Sequence, residues 1–368
     1  MKSLGLYIHI PFCKSKCAYC DFYSLARSEE RMDAFAAALS DALRAAAPSA
    51  AGYAVDTVYF GGGTPSWFGA KRLCALLETV QARFSVAPQA EITFEANPES
   101  ARDISALRAL RGAGFNRVSL GMQSANDGEL RAVGRIHTAR DVADAVGAAR
   151  RAGFDNLSLD LIFGLPEQTR ASWRQSLAAA VSLAPEHLSC YALKVEPGTP
   201  LDRRRAKIRL PDDDEQAELY LDAVAFLAEN SYAQYEISNF ARSGRESRHN
   251  LKYWTLGEYL GFGPGAHSDF GGRRFAAARD LDAFLAGKGA KSEDAAISPR
   301  ERAAERVMLG LRLAQGLIAE ELAPAADVLR ECAAHGLAAE VNGRWRLTPE
   351  GFLVSNEIIL RVQEALGF

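Results

Sequence analysis

Three cysteines stand close together in Cys13-Lys-Ser-Lys-Cys17-Ala-Tyr-Cys20, with the spacing C-x3-C-x2-C. The apolar run at residues 6–10 directly before them reads as a strand, which puts the thiols on a loop leaving a strand end. Four cysteines would close an ordinary cubane or a tetrahedral zinc site. Three can hold three irons of a [4Fe–4S] cluster and leave the fourth iron open to the amine and carboxylate of an amino acid. A zinc site completed by His9 is the alternative, but the spacing matches no common zinc pattern. Cys74, Cys190 and Cys332 lie far apart and far from this loop.

Polar and glycine-rich groups follow the next strand-like runs. Gly61-Gly62-Gly63-Thr64-Pro65 comes after TVYF, and its small residues allow backbone amides and carbonyls to approach a charged ligand. Glu95 ends EITFE and offers an acceptor to an ammonium or a ribose hydroxyl. Gln123 and Arg135 follow the fourth run, and Arg135 can meet a carboxylate bidentately. Asp160 ends the fifth and can accept from sugar hydroxyls. Further on, Arg248-His249-Asn250-Leu251-Lys252-Tyr253-Trp254 contains H-N-x-x-Y-W. An imidazole can ligate heme iron, and Tyr253 and Trp254 can stack on a porphyrin whose propionates Arg242, Arg245 and Arg248 would pair. A buried polar corner is the plainer reading of the same residues. His267, in GFGPGAHS, is a rival iron ligand or a loop residue beside the amino acid on the open iron.

The elements that must position these groups alternate. Strand-like runs at 6–10, 57–60, 91–95, 116–121, 156–162 and 187–193 are separated by helical patterns, one presenting Met32, Phe35, Leu39 and Leu43 on a single face and others near 70–84, 101–112, 126–152 and 170–183. Alternation predicts parallel strands with right-handed crossovers. Six units make a partial TIM-like barrel, (β/α)6, with the polar clusters at the C-terminal strand ends; a doubly wound open sheet is the alternative. Past residue 193 the alternation stops. AQYEISNF (233–240) reads as one strand, and 241–272 has no clear period and is expected to line something. From 298, helices and a hairpin turning at Asn342-Gly343 predict a winged-helix-like α+β domain. The expected division is therefore 1–193, 194–297 and 298–368.

With its flanking Tyr7, His9, Pro11, Phe12 and Tyr19, the cysteine loop resembles that of the radical SAM superfamily. Within it, LYIHIPFCKSKCAYCDF is similar to the branch of oxygen-independent coproporphyrinogen III oxidases and HemW heme chaperones. The resemblance implies that S-adenosylmethionine (SAM) chelates the open iron, that Gly62, Gly63 and Thr64 meet its amino group, and that Tyr7 and Glu95 serve this SAM. It implies that Tyr19, Gln123, Arg135 and Asp160 serve a second SAM. An electron entering the cluster would then break the SAM C–S bond, giving methionine and a 5′-deoxyadenosyl radical. The oxidases add a cysteine two positions after the third, where this sequence has Phe22, and carry a sizeable segment ahead of the loop. H-N-x-x-Y-W resembles a chaperone signature. The resemblance thus points to a heme chaperone that delivers heme to an acceptor protein, a respiratory one among the candidates. The alternatives it leaves are the oxidase and another radical SAM reaction on a tetrapyrrole.

The chain has 368 residues, 48% hydrophobic and 24% charged, with a net charge of −3. That balance argues against nucleic acid as partner, since phosphate binding wants a basic face. No apolar run is long enough for a membrane helix, so at most peripheral membrane contact and a cytoplasmic location are expected. A reductant for the cluster is implied, and a homodimer is left open.

Overall fold

The computed structural model describes residues 1–368. β1 (Lys2–Ile10), β2 (Tyr53–Gly62), β3 (Val86–Ala96), β4 (Arg117–Gln123), β5 (Leu157–Phe163) and β6 (His187–Ala192) pair in that order, all parallel. α1 (Met32–Ala46), α2 (Ala70–Arg83), α3 (Ile104–Ala113), α4 (Ala139–Arg151) and α5 (Arg170–Ser182) connect them. Strand register sorts the side chains into two sets. Leu6, Val58, Phe94, Val118, Leu159 and Leu188 belong to the apolar set, which packs into a single large core with the helices. The alternate positions carry Tyr7, Tyr59, Glu95, Ser119, Asp160 and Ser189, which pair with one another across the interior of the curved sheet. A one-residue slip in any strand would exchange the two sets.

The chain then adds to both edges of the same sheet. α6 (Asp213–Glu229) leads to β7 (Ala233–Glu236) and β8 (Asn239–Ala241), antiparallel at the β6 edge. AQYEISNF is therefore two short strands and not one: the buried Glu236 carboxylate accepts from the Ser238 amide at 3.0 Å and fixes a turn in its middle. The segment without a period holds a short helix, α7 (Arg248–Trp254), and β9 (Tyr259–Phe262), which pairs parallel to β1. β10 (His267–Phe270), β11 (Arg273–Ala277) and β12 (Lys291–Ala296) continue outward, antiparallel. Twelve strands make one sheet with two free ends, an open (β/α)6 barrel. The helical stretches expected across 126–152 are two, the short helix Asp127–Ala132 and α4, separated at Gly134, whose φ is 76°.

α8 (Pro299–Gly310), β13 (Leu317–Ile318), α9 (Ala326–Ala334), β14 (Ala338–Val341), β15 (Arg344–Leu347) and α10 (Ser355–Ala365) form the C-terminal part. Its hairpin turns at Asn342 and Gly343, both with positive φ, as a type I′ turn requires. An ion network joins α8 to the sheet. Asp269 on β10 accepts from both terminal nitrogens of Arg302, each at 2.7 Å, and from Arg274 at 3.0 Å. Asp269→Ala leaves Arg302 and Arg274 with Glu305 as their remaining shared carboxylate. The Arg side chains are about a third exposed, so the expected cost is about 2 kcal/mol and not the larger figure for a sealed pair. Urea unfolding should show the lower midpoint; an unchanged midpoint would make the network a surface ornament. No helix is long and apolar enough to cross a membrane.

Candidate cofactor cavity

A cavity of about 550 Å³ opens at the C-terminal ends of the parallel strands, and Cys13, Cys17 and Cys20 all line it. The cysteine loop is fastened on several sides. Residues Phe12–Cys13 pair with Leu25–Ala26, the Ala18 amide donates to the Val133 carbonyl at 2.9 Å, and the Leu201 amide donates to the Ala18 carbonyl at 2.8 Å. Donors already face the sulfurs: Thr64 Oγ1 is 3.5 Å from Cys13 Sγ, and Arg135 Nη1 is 3.5 Å from Cys17 Sγ. Ser24, on the same wall, has a buried hydroxyl without a partner. No three ligating side chains converge on one point, as a zinc ion would demand. Three thiols lining one cavity with no fourth cysteine beside them suit three irons of a cubane whose fourth is left open. Burial pushes the Cys13 and Cys20 thiols up, so iron would have to hold them as thiolates. The residues present fit a [4Fe–4S] cluster.

Beside the cysteines, the Glu95 carboxylate accepts from Tyr59 Oη at 2.8 Å and from the Gly62 amide at 3.0 Å, bracing the glycine turn. The glycines have a reason the sequence does not reveal. A Cβ on Gly62, whose φ is 106°, would lie 2.4 Å from the His9 ring, and one on Gly63 would lie 2.7 Å from the Ile10 carbonyl oxygen. They let the end of β2 pass against the backbone that leads into the cysteine loop. Burial pushes the Glu95 carboxyl up to about 7, with nearby Asp160 adding to the shift. Asp160 accepts from Ser119 at 3.0 Å and Ser189 at 2.8 Å, and burial raises it too. Arg135 Nη2 reaches Asn97 Oδ1 at 2.8 Å and the Gly121 carbonyl at 2.6 Å, so this guanidinium joins the cysteine loop to two strand ends. Gln123 sits at a register shift in β4 with φ of 62°, which re-aims its side chain into the cavity.

Tyr19, Gly62, Gly63, Thr64, Glu95, Gln123, Arg135, Asp160 and Asn250 are thus brought together with the three cysteines. Several wall residues escaped the sequence reading. Asn97 lies just past Glu95, and Ser119 and Ser189 occupy inward positions, a signal available from period-two alternation alone. Arg117, only 2% exposed, lines the cavity with an unpartnered Nε. Tyr7 is not on the wall: its hydroxyl is 3.1 Å from His9 Nδ1, and its ring stacks against Tyr59.

The H-N-x-x-Y-W residues do not form one platform. Asn250 alone reaches the main cavity. His249 is 1% exposed, with Nδ1 2.9 Å from Thr57 Oγ1 and Nε2 2.8 Å from Tyr253 Oη, and it stacks on Tyr59. Burial holds it neutral, pushed down to about 3. Tyr253 turns instead toward a second cavity of about 250 Å³ shared with Tyr259, which pairs with Gly5 near the opposite strand ends. Trp254, half-buried, lines neither cavity. Arg242 donates to the Pro185 carbonyl and Arg248 to that of Gln89, so neither guanidinium is turned to His249. In this conformation the run forms a buried polar corner around His249, with its neighbours turned to different sides. His9, His137 and His187 are also buried, whereas His267 and His335 are exposed.

A barrel of six parallel strands with three spaced cysteines over its open end defines a class, and the comparisons agree. The Radical SAM superfamily signature matches residues 7–180, and that of the HemN C-terminal domain matches residues 297–354. The chain is 35% identical to the heme chaperone HemW of Bacillus subtilis over 96% of its own length and 97% of the relative's. It is 38% identical to HemW of Mycobacterium tuberculosis, covering 96% and 93%, and 35% identical to HemW of Escherichia coli, covering 97% of each. The structure of coproporphyrinogen III oxidase (HemN) from Escherichia coli, a radical SAM enzyme, superposes with a TM-score of 0.84 at 25% identity, covering 98% of this chain and 90% of that one. The chain belongs to the radical SAM superfamily and, within it, to the family of these HemW relatives. Membership brings a [4Fe–4S] cluster and SAM.

Proposed function

We propose that this protein is a heme chaperone: it binds heme reversibly while carrying a cluster and SAM, and passes the heme to an acceptor protein. The observation that carries the reading is identity of 35% or more to heme chaperones across nearly the full length of both chains. The second reading, coproporphyrinogen oxidation, is favoured by the HemN superposition alone. Against it stands Phe22, which takes the place of the oxidases' added cysteine and is 68% exposed at the cavity mouth. One preparation tests both. After anaerobic cluster reconstitution, heme should titrate to one per chain, and coproporphyrinogen III should survive SAM and a strong reductant. Turnover to protoporphyrinogen without heme uptake would reverse the assignment.

In this reading, Cys13, Cys17 and Cys20 hold the cluster. Glu95 and the glycine turn receive the SAM amino group, while Arg135 and Asp160 orient polar groups deeper in the cavity. Buried Glu95, at about 7, is mostly protonated at pH 6 and a better acceptor above 7. SAM affinity should therefore rise roughly five- to tenfold between pH 6 and pH 7.5. Glu95→Gln should flatten that dependence. Equal slopes in both chains would separate Glu95 from SAM. For the unliganded fold the sign is opposite. A raised carboxyl stabilises the fold most below its ordinary value of 4.5, and that contribution is lost as pH rises through about 7.

A further inference from the structure

Arg117 is a buried cation with nothing to hold. It opens β4 and lines the cofactor cavity, yet it is only 2% exposed, joins no ion pair, and its Nε has no hydrogen-bond partner. Arg135, on the same wall, is by contrast tied to Asn97, the Gly121 carbonyl and Cys17. Thr93 pairs in register with Arg117 on the neighbouring strand, is fully buried, and has an unpartnered hydroxyl of its own. Two adjacent inward positions therefore carry donors that the fold leaves unused. Buried donors are nearly always satisfied, and leaving a charged one unpaired is the costliest case.

The inward carboxylates of the barrel do not use these donors. Glu95 is held by Tyr59 and the Gly62 amide, and Asp160 by Ser119, Ser158 and Ser189. Burial raises both carboxyls, and the charge of Arg117 works against that rise without bonding to either. Glu91 is taken up by the Arg248 and His249 amides at the start of α7. The histidines that feel the Arg117 charge are neutral: burial holds His187 well below its ordinary value and His249 down at about 3, and Arg117 adds to both shifts. What remains is a guanidinium fork with a hydroxyl beside it. A carboxylate matches that set, taking two N–H donors side by side and a third donor on a remaining lone pair. A hydroxyl, an ammonium or a sulfonium does not.

We propose that Arg117 and Thr93 form a carboxylate-binding subsite in the barrel interior, filled by a carboxyl group of the molecule that occupies the cavity. Two sources share that chemistry: a propionate of a tetrapyrrole and the carboxylate of an amino-acid moiety. The guanidiniums first expected to take propionates, those of Arg242 and Arg248, are spent on backbone carbonyls, whereas Arg117 has donors to give. The propionate source rests on the heme reading and the amino-acid source on SAM; the subsite itself requires neither one in particular.

The test measures the coupling between this side chain and the carboxyl of the ligand. For a propionate, wild type should bind heme about tenfold or more tightly than heme dimethyl ester, and Arg117→Met should bind both with the weaker affinity. Arg117→Lys, which keeps the charge and loses the fork, should fall between. For an amino-acid carboxylate, the preference of the reconstituted protein for SAM over decarboxylated SAM should shrink about tenfold in Arg117→Met. Without ligand, Arg117→Met should unfold at an equal or higher urea midpoint than wild type, because that chain no longer buries an unpaired cation. The same measurement shows that the variant folds. Heme bound by neither chain would remove the chaperone reading and leave the SAM comparison to decide the subsite. Losses on esterification and on decarboxylation that are equal in wild type and Arg117→Met would overturn the proposal. So would a lowered midpoint with unchanged ligand affinities, which would make Arg117 a counter-ion for Glu95 and Asp160 alone.

Discussion

Cys17→Ala should take up no stable cluster, whereas the wild-type chain reconstituted without oxygen should bind about four irons and show a SAM-dependent change in its reduced EPR signal. The size of the effect follows from ligand arithmetic. Three thiols line the cavity, one iron is left for SAM, and no spare sulfur stands nearby. Cys190 is buried in β6 and Cys332 in the C-terminal part, and neither lines the cavity. Cys74, on α2, has its thiol directed to the Ala109 carbonyl. The loss also strips Arg135 Nη1 of its sulfur partner, while Nη2 keeps Asn97 Oδ1 and the Gly121 carbonyl. Cys190→Ala, in contrast, should retain full iron content. Stoichiometric zinc in the wild-type protein, or four irons retained by Cys17→Ala, would refute the assignment.

The cluster loop and barrel were legible in the sequence because their signals are local. Cysteine spacing needs no tertiary information, and six strand runs alternating with amphipathic helices leave few topologies. The cavity wall was partly legible for the same reason, since Glu95 stands next to the end of β3, Gln123 closes β4 and Arg135 follows it, although Asp160 lies inside β5 and not at its end. What escaped depends on register. Alternation alone turns Arg117 and Ser189 inward, but only the pairing of β3 to β6 sets Ser189 beside Asp160 and Arg117 beside Thr93. The Gly62-Gly63 turn is required by the passage of another backbone, which composition cannot show. Glu236 breaks an apparent strand because a buried carboxylate demands donors and takes them from the next turn. The H-N-x-x-Y-W run was read for the chemistry of its side chains, but the fold separates them: Asn250 faces one cavity and Tyr253 another, with His249 sealed between strands.

That sealing makes a second large effect predictable, under the heme-chaperone reading. If His249 is the axial ligand, it can reach iron only when α7 gives up the contacts to Thr57 and Tyr253. The open state then lies above the closed one by roughly the worth of those hydrogen bonds, and apparent heme affinity is reduced by the same factor. A chaperone that must release its cargo needs such an offset. Tyr253→Phe removes one of the two tethers and should tighten heme binding about fivefold, the equivalent of about 1 kcal/mol. His249→Ala should do two things at once. It should shift the Soret band and weaken heme binding at least tenfold, because the iron loses its imidazole. It should also lower the stability of the heme-free fold by roughly 3 kcal/mol, since a cavity opens beside Tyr7 and Tyr59 and the Thr57 hydroxyl loses its partner. His267→Ala separates ligand from scaffold: exposed at the start of β10, it should leave stability alone and, with His249 as ligand, leave the Soret band in place. A Soret band lost in His267→Ala, together with unchanged heme affinity in Tyr253→Phe, would move the ligand to the open imidazole and make His249 a purely structural residue.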